Sequence, residues 1–306
     1  MRTDKKKIMK PSSAHHAIDL SVVILNYNTR ELTRMCLTTL YASRLEAYTM
    51  EVIVCDNGSS DNSLDMIRES FPDVRIIDNK KNLGFAAGNN PGIRNARGRY
   101  VLLLNTDTEM PPDTLAAMIR FMDRHPKAGA STCKLLLADG SMDPACHRGF
   151  PTPWVAFTYL SKLEKLFPRT KLFGEYHQGY KDLSSAHTVD CIVGAFFLVR
   201  NEVIREVGLL DEDYFMYGED IDWCYRIRQA GWDIWFNPAV TMLHKKKQSG
   251  RANPFKKRRV TTEIYFQKYN WLFYTKHYEK TYPGILTWIV NAVYATRLFF
   301  LEKFSL

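Results

Sequence analysis

Ser21-Val-Val-Ile-Leu-Asn-Tyr-Asn28 sets a plan that the chain then repeats: a short apolar run, a polar ending, and a handover to a helical stretch. Glu51-Val-Ile-Val-Cys55 runs into Asp56-Asn57-Gly58, and Val74-Arg-Ile-Ile-Asp78 into Asn79. Tyr100-Val-Leu-Leu-Leu104 runs into Asn105-Thr106-Asp107. Unbroken aliphatic runs this short are the mark of strands buried on both faces. Between them, residues 30–42 read as helix, and a second helix starts at Ser60 or Asp61. A third lies between the third and fourth runs. Four β-α units within about ninety residues specify an α/β protein with a mostly parallel sheet and helices on both faces. Ligands of such sheets sit beyond the carboxyl ends of the strands. Each of the four polar clusters falls there.

Downstream the pattern loosens. A helix near 112–124 precedes a strand near 128–137, and Asp139-Gly140 marks a tight turn. Residues 147–186, rich in aromatics, Pro and Gly without a clear period, read as an irregular region with short helices. Val189–Val199 reads as one buried strand, and Trp232–Phe236 as another that ends near His244. Between those two strands lies Gly208–Gly231, with six carboxylates, five aromatics and a helix that opens on Glu219-Asp220. On that helix Asp220, Trp223, Cys224 and Ile227 share a face, Asp222 and Arg226 pair at i,i+4, and Gly231 is a natural C′ residue. Acids in a first turn complement the helix dipole, so capping and catalysis both account for Glu219 and Asp220. The aromatic approach Tyr214-Phe215-Met216-Tyr217-Gly218 points to a pocket edge.

A chain of 306 residues with 45% hydrophobic and 25% charged residues has the make-up of a soluble globular protein able to bury a large core. Its net charge of +9 is concentrated in 245–259 and at the N-terminus. Such blocks suit the phosphates of a nucleotide, of nucleic acid or of an anionic membrane. The six cysteines show no C-x-x-C or finger spacing, and no apolar stretch of a signal peptide follows the basic N-terminus. A reducing, cytoplasmic location is expected. From Val260 the chain reads as helix, and 284–301 is apolar but holds Asn291 and Arg297. We expect a packing or interfacial helix there rather than a transmembrane span.

Three single residues carry possible chemistry. Asp107 at a strand end reads either as a turn former or as a ligand for a divalent cation, with a nucleotide's phosphates as further ligands. Asp56 serves either a turn approaching the helix or the imide N–H of a uracil or thymine base, and Tyr27 either packs in the core or stacks on that base. His244, just before Lys245-Lys246-Lys247, suits a metal and a diphosphate. Asn82-Leu-Gly-Phe-Ala-Ala-Gly88 loosely resembles a phosphate-cradling turn, and Pro91 suggests loop until about Gly92.

Five blocks in order resemble the family 2 glycosyltransferases of GT-A fold: Ser21–Thr29, Cys55–Asn62, Asn79–Gly98, Leu102–Glu109 and Gly194–Gly231. The likeness covers about residues 20–245 and is nearest the rhamnosyltransferase-like branch of bacterial surface-polysaccharide assembly. It implies a GT-A core, a Rossmann-like nucleotide-binding sheet, over 20–245; the charge and apolar patterns flank it with a basic tail (1–19) and a basic linker with a C-terminal helical, membrane-associating region (246–306). It implies inverting transfer of a sugar from a nucleotide-diphospho-sugar, dTDP- or UDP-linked, to a saccharide or lipid-linked acceptor. By resemblance, Asp56, Tyr27 and Asn82 bind the nucleotide, and Asp107 and His244 hold Mg2+ or Mn2+. Asn105 replaces the first aspartate of the family's D-x-D motif. Asp220 matches the catalytic base, and partial burial by Tyr217 and Trp223 is expected to raise its pKa. Glu219, Asp222 and Trp223 would contact the acceptor, although Asp222 is better explained by its pairing with Arg226.

Two other classes compete. A nucleotidyltransferase needs a Gly-rich triphosphate loop with Lys or Arg near the first strand, and Asn26-Tyr27-Asn28-Thr29 provides none. A basic module for nucleic acid or membrane accounts for the charge blocks but leaves Glu219-Asp220 unexplained. We therefore expect no nucleic-acid partner, peripheral contact with the anionic inner face of the cytoplasmic membrane, and no bar to oligomerisation.

Overall fold

The computed structural model describes residues 18–246 and 256–304, without the side chains of 256–259 and 304. The basic N-terminal run and most of the 245–259 block lie outside the described residues. The first half follows the βα plan: β1 (Leu20–Asn26), α1 (Arg30–Tyr41), β2 (Met50–Asp56), α2 (Ser63–Ser70), β3 (Arg75–Asp78), α3 (Phe85–Asn95) and β4 (Tyr100–Asn105). These strands pair in parallel, and the register sets Asn26 beside Asp56, and Asp56 beside Asp78. Leu25 lies between Cys55 and Asn105. The polar endings are thus brought level along one edge. Behind them Val22, Val23, Ile24, Ile53, Val54 and Val101–Leu104 are almost fully buried, as strands covered on both faces require.

Helix α3 runs through Pro91 rather than starting after it. Proline removes one backbone bond and crowds the preceding turn, yet the helix has a compensating reason to sit where it does. A Cβ on Gly92 would stand 2.6 Å from Val23 Cγ1 and 2.7 Å from Cys55 Sγ, so only glycine lets α3 lie this close to β1 and β2. Asn89 and Asn95 donate side-chain N–H groups to the Phe85 and Pro91 carbonyls (2.9 Å each). Gly84, in the phosphate-cradle-like segment, has φ +80°, and a Cβ there would meet Phe215 O at 2.2 Å. Its small size admits the aromatic loop.

The second half comprises β5 (Thr108–Glu109), α4 (Thr114–Arg124), β6 (Ala128–Leu136), a 3-10 turn (Pro144–Cys146), α5 (Pro153–Leu160), α6 (Leu163–Leu166), β7 (His187–Val189), β8 (Phe196–Arg200), α7 (Asn201–Val207), α8 (Glu219–Gln229), β9 (Asp233–His244), α9 (Lys256–His277) and α10 (Gly284–Phe304). The sheet order is β3-β2-β1-β4-β8-β6-β9-β5, with β7 added on β9. β8 is antiparallel to both β4 and β6, while β9 is parallel to β6. This half is therefore mixed. The single strand expected over Val189–Val199 is divided: β7 pairs with β9, and β8 with β4 and β6. Nothing in the apolar run marks the bend, because Cys191, Ile192 and Ala195 inside it are as buried as the strand residues.

The C-terminal helices form a hairpin. Trp271 Nε1 donates to Asn291 Oδ1 (2.7 Å), and the Tyr274 and Thr287 hydroxyls bond at 2.9 Å. Helix α9 is built into the core through Tyr269, Phe273 and Tyr274, and Tyr278 follows directly after its last turn, all four buried. The six cysteines are buried and unpaired.

Candidate active site

A cleft of about 590 Å³ opens at the strand-end edge, and Asn105, Asp107, Arg148, Tyr217, Asp220 and His244 are among its walls. Two strands make one corner of it. β5 pairs antiparallel with β9, Thr108 opposite His244, and this brings Asp107 beside a histidine distant in sequence. His244 Nε2 stands 3.4 Å from Asp107 Oδ1, both side chains being buried. The other ring nitrogen, Nδ1, lies 2.8 Å from Asp143 Oδ2. Asp143 is wholly buried; its Oδ1 accepts from Ala145 N (3.0 Å) and Lys246 Nζ (2.7 Å). Burial disfavours the imidazolium, but the hydrogen bonds and charges of Asp107 and Asp143 outweigh it and lift His244 to about 9. Burial would likewise raise Asp143, yet His244, Lys246 and the Ala145 N–H hold it well below the usual carboxylate range.

A carboxylate oxygen facing an imidazole nitrogen is a donor pair suited to Mn2+ or Mg2+. Asp143 behind the ring is the outer partner that fixes a metal-binding histidine. Among the described residues no third His, Cys, Asp or Glu joins the pair. Phosphate oxygens and water would have to complete the coordination. The residues fit a divalent cation on those terms.

The opposite corner belongs to α8. Asp220 Oδ1 accepts from Ile221 N (2.8 Å), and Oδ2 from Arg148 Nη2 (2.9 Å). Arg148 is itself buried and is anchored by Nε to Ala145 O (2.9 Å). Burial opposes its charge, but Asp220 overrides this and raises the guanidinium further. The carboxyl pushed toward neutrality is Glu219, to about 8, first by burial and then by the Asp220 charge. Its Oε2 has no hydrogen-bond partner.

Three expected acceptor contacts are corrected by this arrangement. Trp223 is fully buried, stacks on Phe197 (5.0 Å) and donates Nε1 to Gly208 O (2.9 Å), so neither face is free for a sugar. Asp222 is 1% exposed and is held by Arg226 Nε (2.8 Å) and His277 Nε2 (2.7 Å), which ties α8 to α9. Glu219 lies behind the cleft wall, which is formed here by Tyr217, Gly218, Asp220 and Ile221. The walls that face the cleft instead include Tyr159, Tyr176, Phe266 and Asn270. Sequence reading missed these residues, as it missed Asp143 and Arg148.

At the β1–β2 edge Tyr27 is 45% exposed, with room for a stacked ring. Asp56 is wholly buried. Its oxygens accept from Asn26 Nδ2 (2.6 Å) and Ser59 N (2.8 Å), so it also braces the turn on which Tyr27 stands. Asn82 Oδ1 accepts from Gly84 N (2.9 Å) and Asn57 Nδ2 (3.3 Å), shaping the approach to α3.

The profile described as Glycosyl transferase family 2 matches residues 21–143, and that described as Glycosyl transferase family group 2 matches 100–300. The chain belongs to glycosyltransferase family 2. Within it the chain is rhamnosyltransferase-like. It is 26% identical over 268 residues to the N-acetylglucosaminyl-diphospho-decaprenol L-rhamnosyltransferase of Mycobacterium tuberculosis (strain CDC 1551 / Oshkosh), covering 84% of this chain and 85% of that protein. To the rhamnosyltransferase WbbL of Escherichia coli (strain K12) it is 29% identical over 176 residues, covering 55% and 63% of the two chains. The fold is GT-A: the mannosyltransferase PcManGT from Pyrobaculum calidifontis, solved with GDP-Man and Mn2+, superposes with a TM-score of 0.57 at 18% identity, covering 94% of this chain and 70% of that one. This family 2 enzyme is a glycosyltransferase.

Proposed function

We propose that this glycosyltransferase moves a hexose, rhamnose in the first instance, from a dTDP- or UDP-linked donor to a saccharide hydroxyl on a lipid-linked acceptor, with inversion at the anomeric carbon. The observation that carries the reading is the two-cornered cleft, with Asp107 and His244 on one side and the Arg148-braced Asp220 on the other. The rhamnosyltransferase relatives support the choice of sugar, and the decaprenol-linked substrate named for one of them supports the acceptor class.

In this mechanism the base stacks on Tyr27, with Asp56 at the β2 end and Asn82 on the α3 approach bordering the nucleotide. Asp107 and His244 would hold a divalent cation, which supplies positive charge to the departing diphosphate. The acceptor hydroxyl gives its proton to Asp220 as its oxygen bonds to the anomeric carbon. The bond from that carbon to the phosphate oxygen breaks in the same step, and its electron pair leaves with the nucleoside diphosphate. A positioned base of this kind is worth ~10²–10⁴-fold in rate. Arg148 orients the carboxylate, and Lys246 adds charge on the diphosphate side. The aromatic rings of Tyr159, Tyr176 and Phe266 offer stacking faces to the acceptor sugar.

The test is Asp220→Asn. Donor-nucleotide affinity should be retained and transfer lost, and more than a few per cent of residual turnover, judged against the general-base range, would refute the assignment of the base.

A further inference from the structure

The segment from Pro153 to Phe173 has two faces. Inward, Val155 and Thr158 are buried, and Tyr159 borders the cleft with its ring 4.5 Å from that of Tyr176. The buried Glu164 of α6 accepts from His177 N (2.9 Å) and lies 3.0 Å from His177 Nδ1, and His177 is also a cleft residue. Outward, Trp154, Phe157 and Leu160 follow i, i+3, i+6 spacing on α5, and Leu166, Phe167 and Leu172 extend the patch. All six are exposed, Leu166 at 70% and Leu172 at 60%. They are held in place: Trp154 Nε1 donates to Leu172 O (2.7 Å), and Trp154 and Phe167 pack on Phe173 (6.1 and 5.3 Å).

Charge selects the partner. Lys162, Lys165, Arg169 and Lys171 are exposed among these apolar chains, and the segment's single acid, Glu164, is turned inward. A second copy docked face to face would set those cations against one another. Anionic headgroups around a layer of acyl chains complement both features. Helix α10 continues the surface. Thr152, at the head of α5, lies beside Tyr282 just before α10. While Thr287 and Asn291 face α9, Ile285, Trp288, Ile289, Val293, Phe299 and Phe300 remain exposed. Gly284–Lys303 is long and apolar enough to cross a membrane, but its polar contacts hold one side against α9.

We propose that the α5–α6 hairpin and the outer face of α10 form one docking surface for an anionic bilayer. Seated there, the hairpin presents its inner wall, Tyr159 and the Tyr176–His177 strip, to a saccharide carried on a membrane lipid. The role for the inner wall rests on the lipid-linked acceptor proposed above; the docking surface itself needs no turnover to be measured.

Because all six native cysteines are buried, Phe167→Cys and Trp288→Cys variants of the full chain can be labelled selectively with an environment-sensitive dye. Phosphatidylglycerol-containing vesicles should brighten and blue-shift the dye at both positions, and pure phosphatidylcholine vesicles far less. A Leu166→Glu, Phe167→Glu, Leu172→Glu variant with an unchanged circular-dichroism melt should lose about ten-fold or more of its vesicle affinity, since each buried apolar side chain and anionic contact contributes. A Phe167→Cys dye that stays silent while the Trp288→Cys dye responds overturns the proposal. So does brightening on adding unlabelled protein without lipid, which would mark a self-association face. Loss of transfer with docking intact would count against the proposed reaction alone.

Discussion

Glu219→Gln should stabilise this enzyme in alkali far more than in acid. Glu219 is raised from 4.5 to about 8 by burial and by the neighbouring Asp220 charge. The native state therefore keeps a proton that the unfolded chain has released. Between those two values the folded form binds more protons, so its stability is fullest below 4.5 and falls as pH rises toward 8. At about 1.36 kcal/mol per pKa unit, the span sets a ceiling of ~5 kcal/mol, and local relaxation around the carboxylate brings the expected loss to ~2–4 kcal/mol. Glutamine keeps the shape and cannot ionise. Its cost for an unpaired buried amide is the same at every pH and cancels when two pH values are compared. Urea unfolding of both proteins near pH 5 and pH 8.5 is the assay, with the stability gap moving in favour of the variant by that amount. The His244 and Asp143 contributions are common to both proteins and drop out. A gap constant to within about 0.5 kcal/mol would refute the reasoning. It would mean that Glu219 is ionised in the fold, and that Arg148 faces two carboxylates instead of one.

Gly92→Ala forces a methyl to within 2.6 Å of Val23 and 2.7 Å of Cys55; overpacking of this kind costs ~1–3 kcal/mol, and an unchanged melting temperature would show that α3 lies further from the sheet. Arg148→Met strands the buried Asp220 carboxylate, so it should destabilise by ~3–5 kcal/mol in urea titration as well as reduce turnover, and a loss below about 1 kcal/mol would remove the ion pair from the account. Asp107→Ala should abolish the dependence of donor affinity on Mg2+ or Mn2+ in calorimetry, whereas unchanged affinity with and without the ion would count against Asp107 as a ligand.

The parallel half was legible because strands buried on both faces must be written as unbroken apolar runs, and their polar endings mark the ligand edge. The same physics hid the break between β7 and β8, since Cys191, Ile192 and Ala195 are enclosed without lying in either strand. Trp223 was misread for a related reason. Helix α8 is covered on several sides, with Ile221, Asp222, Trp223, Cys224 and Ile227 all buried, and a heptad-scale pattern cannot say which side faces a cavity. Asp222 and Arg226 were legible as a pair because i,i+4 spacing is local. Asp143 and Arg148 left no signal of a site: Asp143 reads locally only as the cap of Pro144–Cys146, Arg148 sits in an aperiodic stretch, and each meets its site partner from far away in sequence.

The sheet's change of direction explains why those partners meet. Ligand edges of open α/β sheets lie at the carboxyl ends of the strands, at the point where the topology switches. Here the parallel run ends at β4, whose neighbour β8 is reversed. β8 therefore begins at the edge where β4 ends, which brings Val193, just before it, to the cleft. β6 is antiparallel to β8 and β9 is parallel to β6, so both finish at that same edge. The exit of β6 leads to Asp143 and Arg148, and β9 ends on His244. Asp107 follows β4 directly. Four strands thus converge on one cleft although their cleft residues run from Asn105 to His244 in sequence. The reversal also separates two tasks. Strand ends β1 and β2, on the parallel side, carry Tyr27 and Asp56, which in the proposed reaction border the nucleotide. The reversed side brings in α8, whose first turn sets Asp220 across the cleft from Asp107 and His244. The in-line displacement proposed above needs a base and a leaving-group site at opposite positions around one carbon, and one switch in strand direction would supply both.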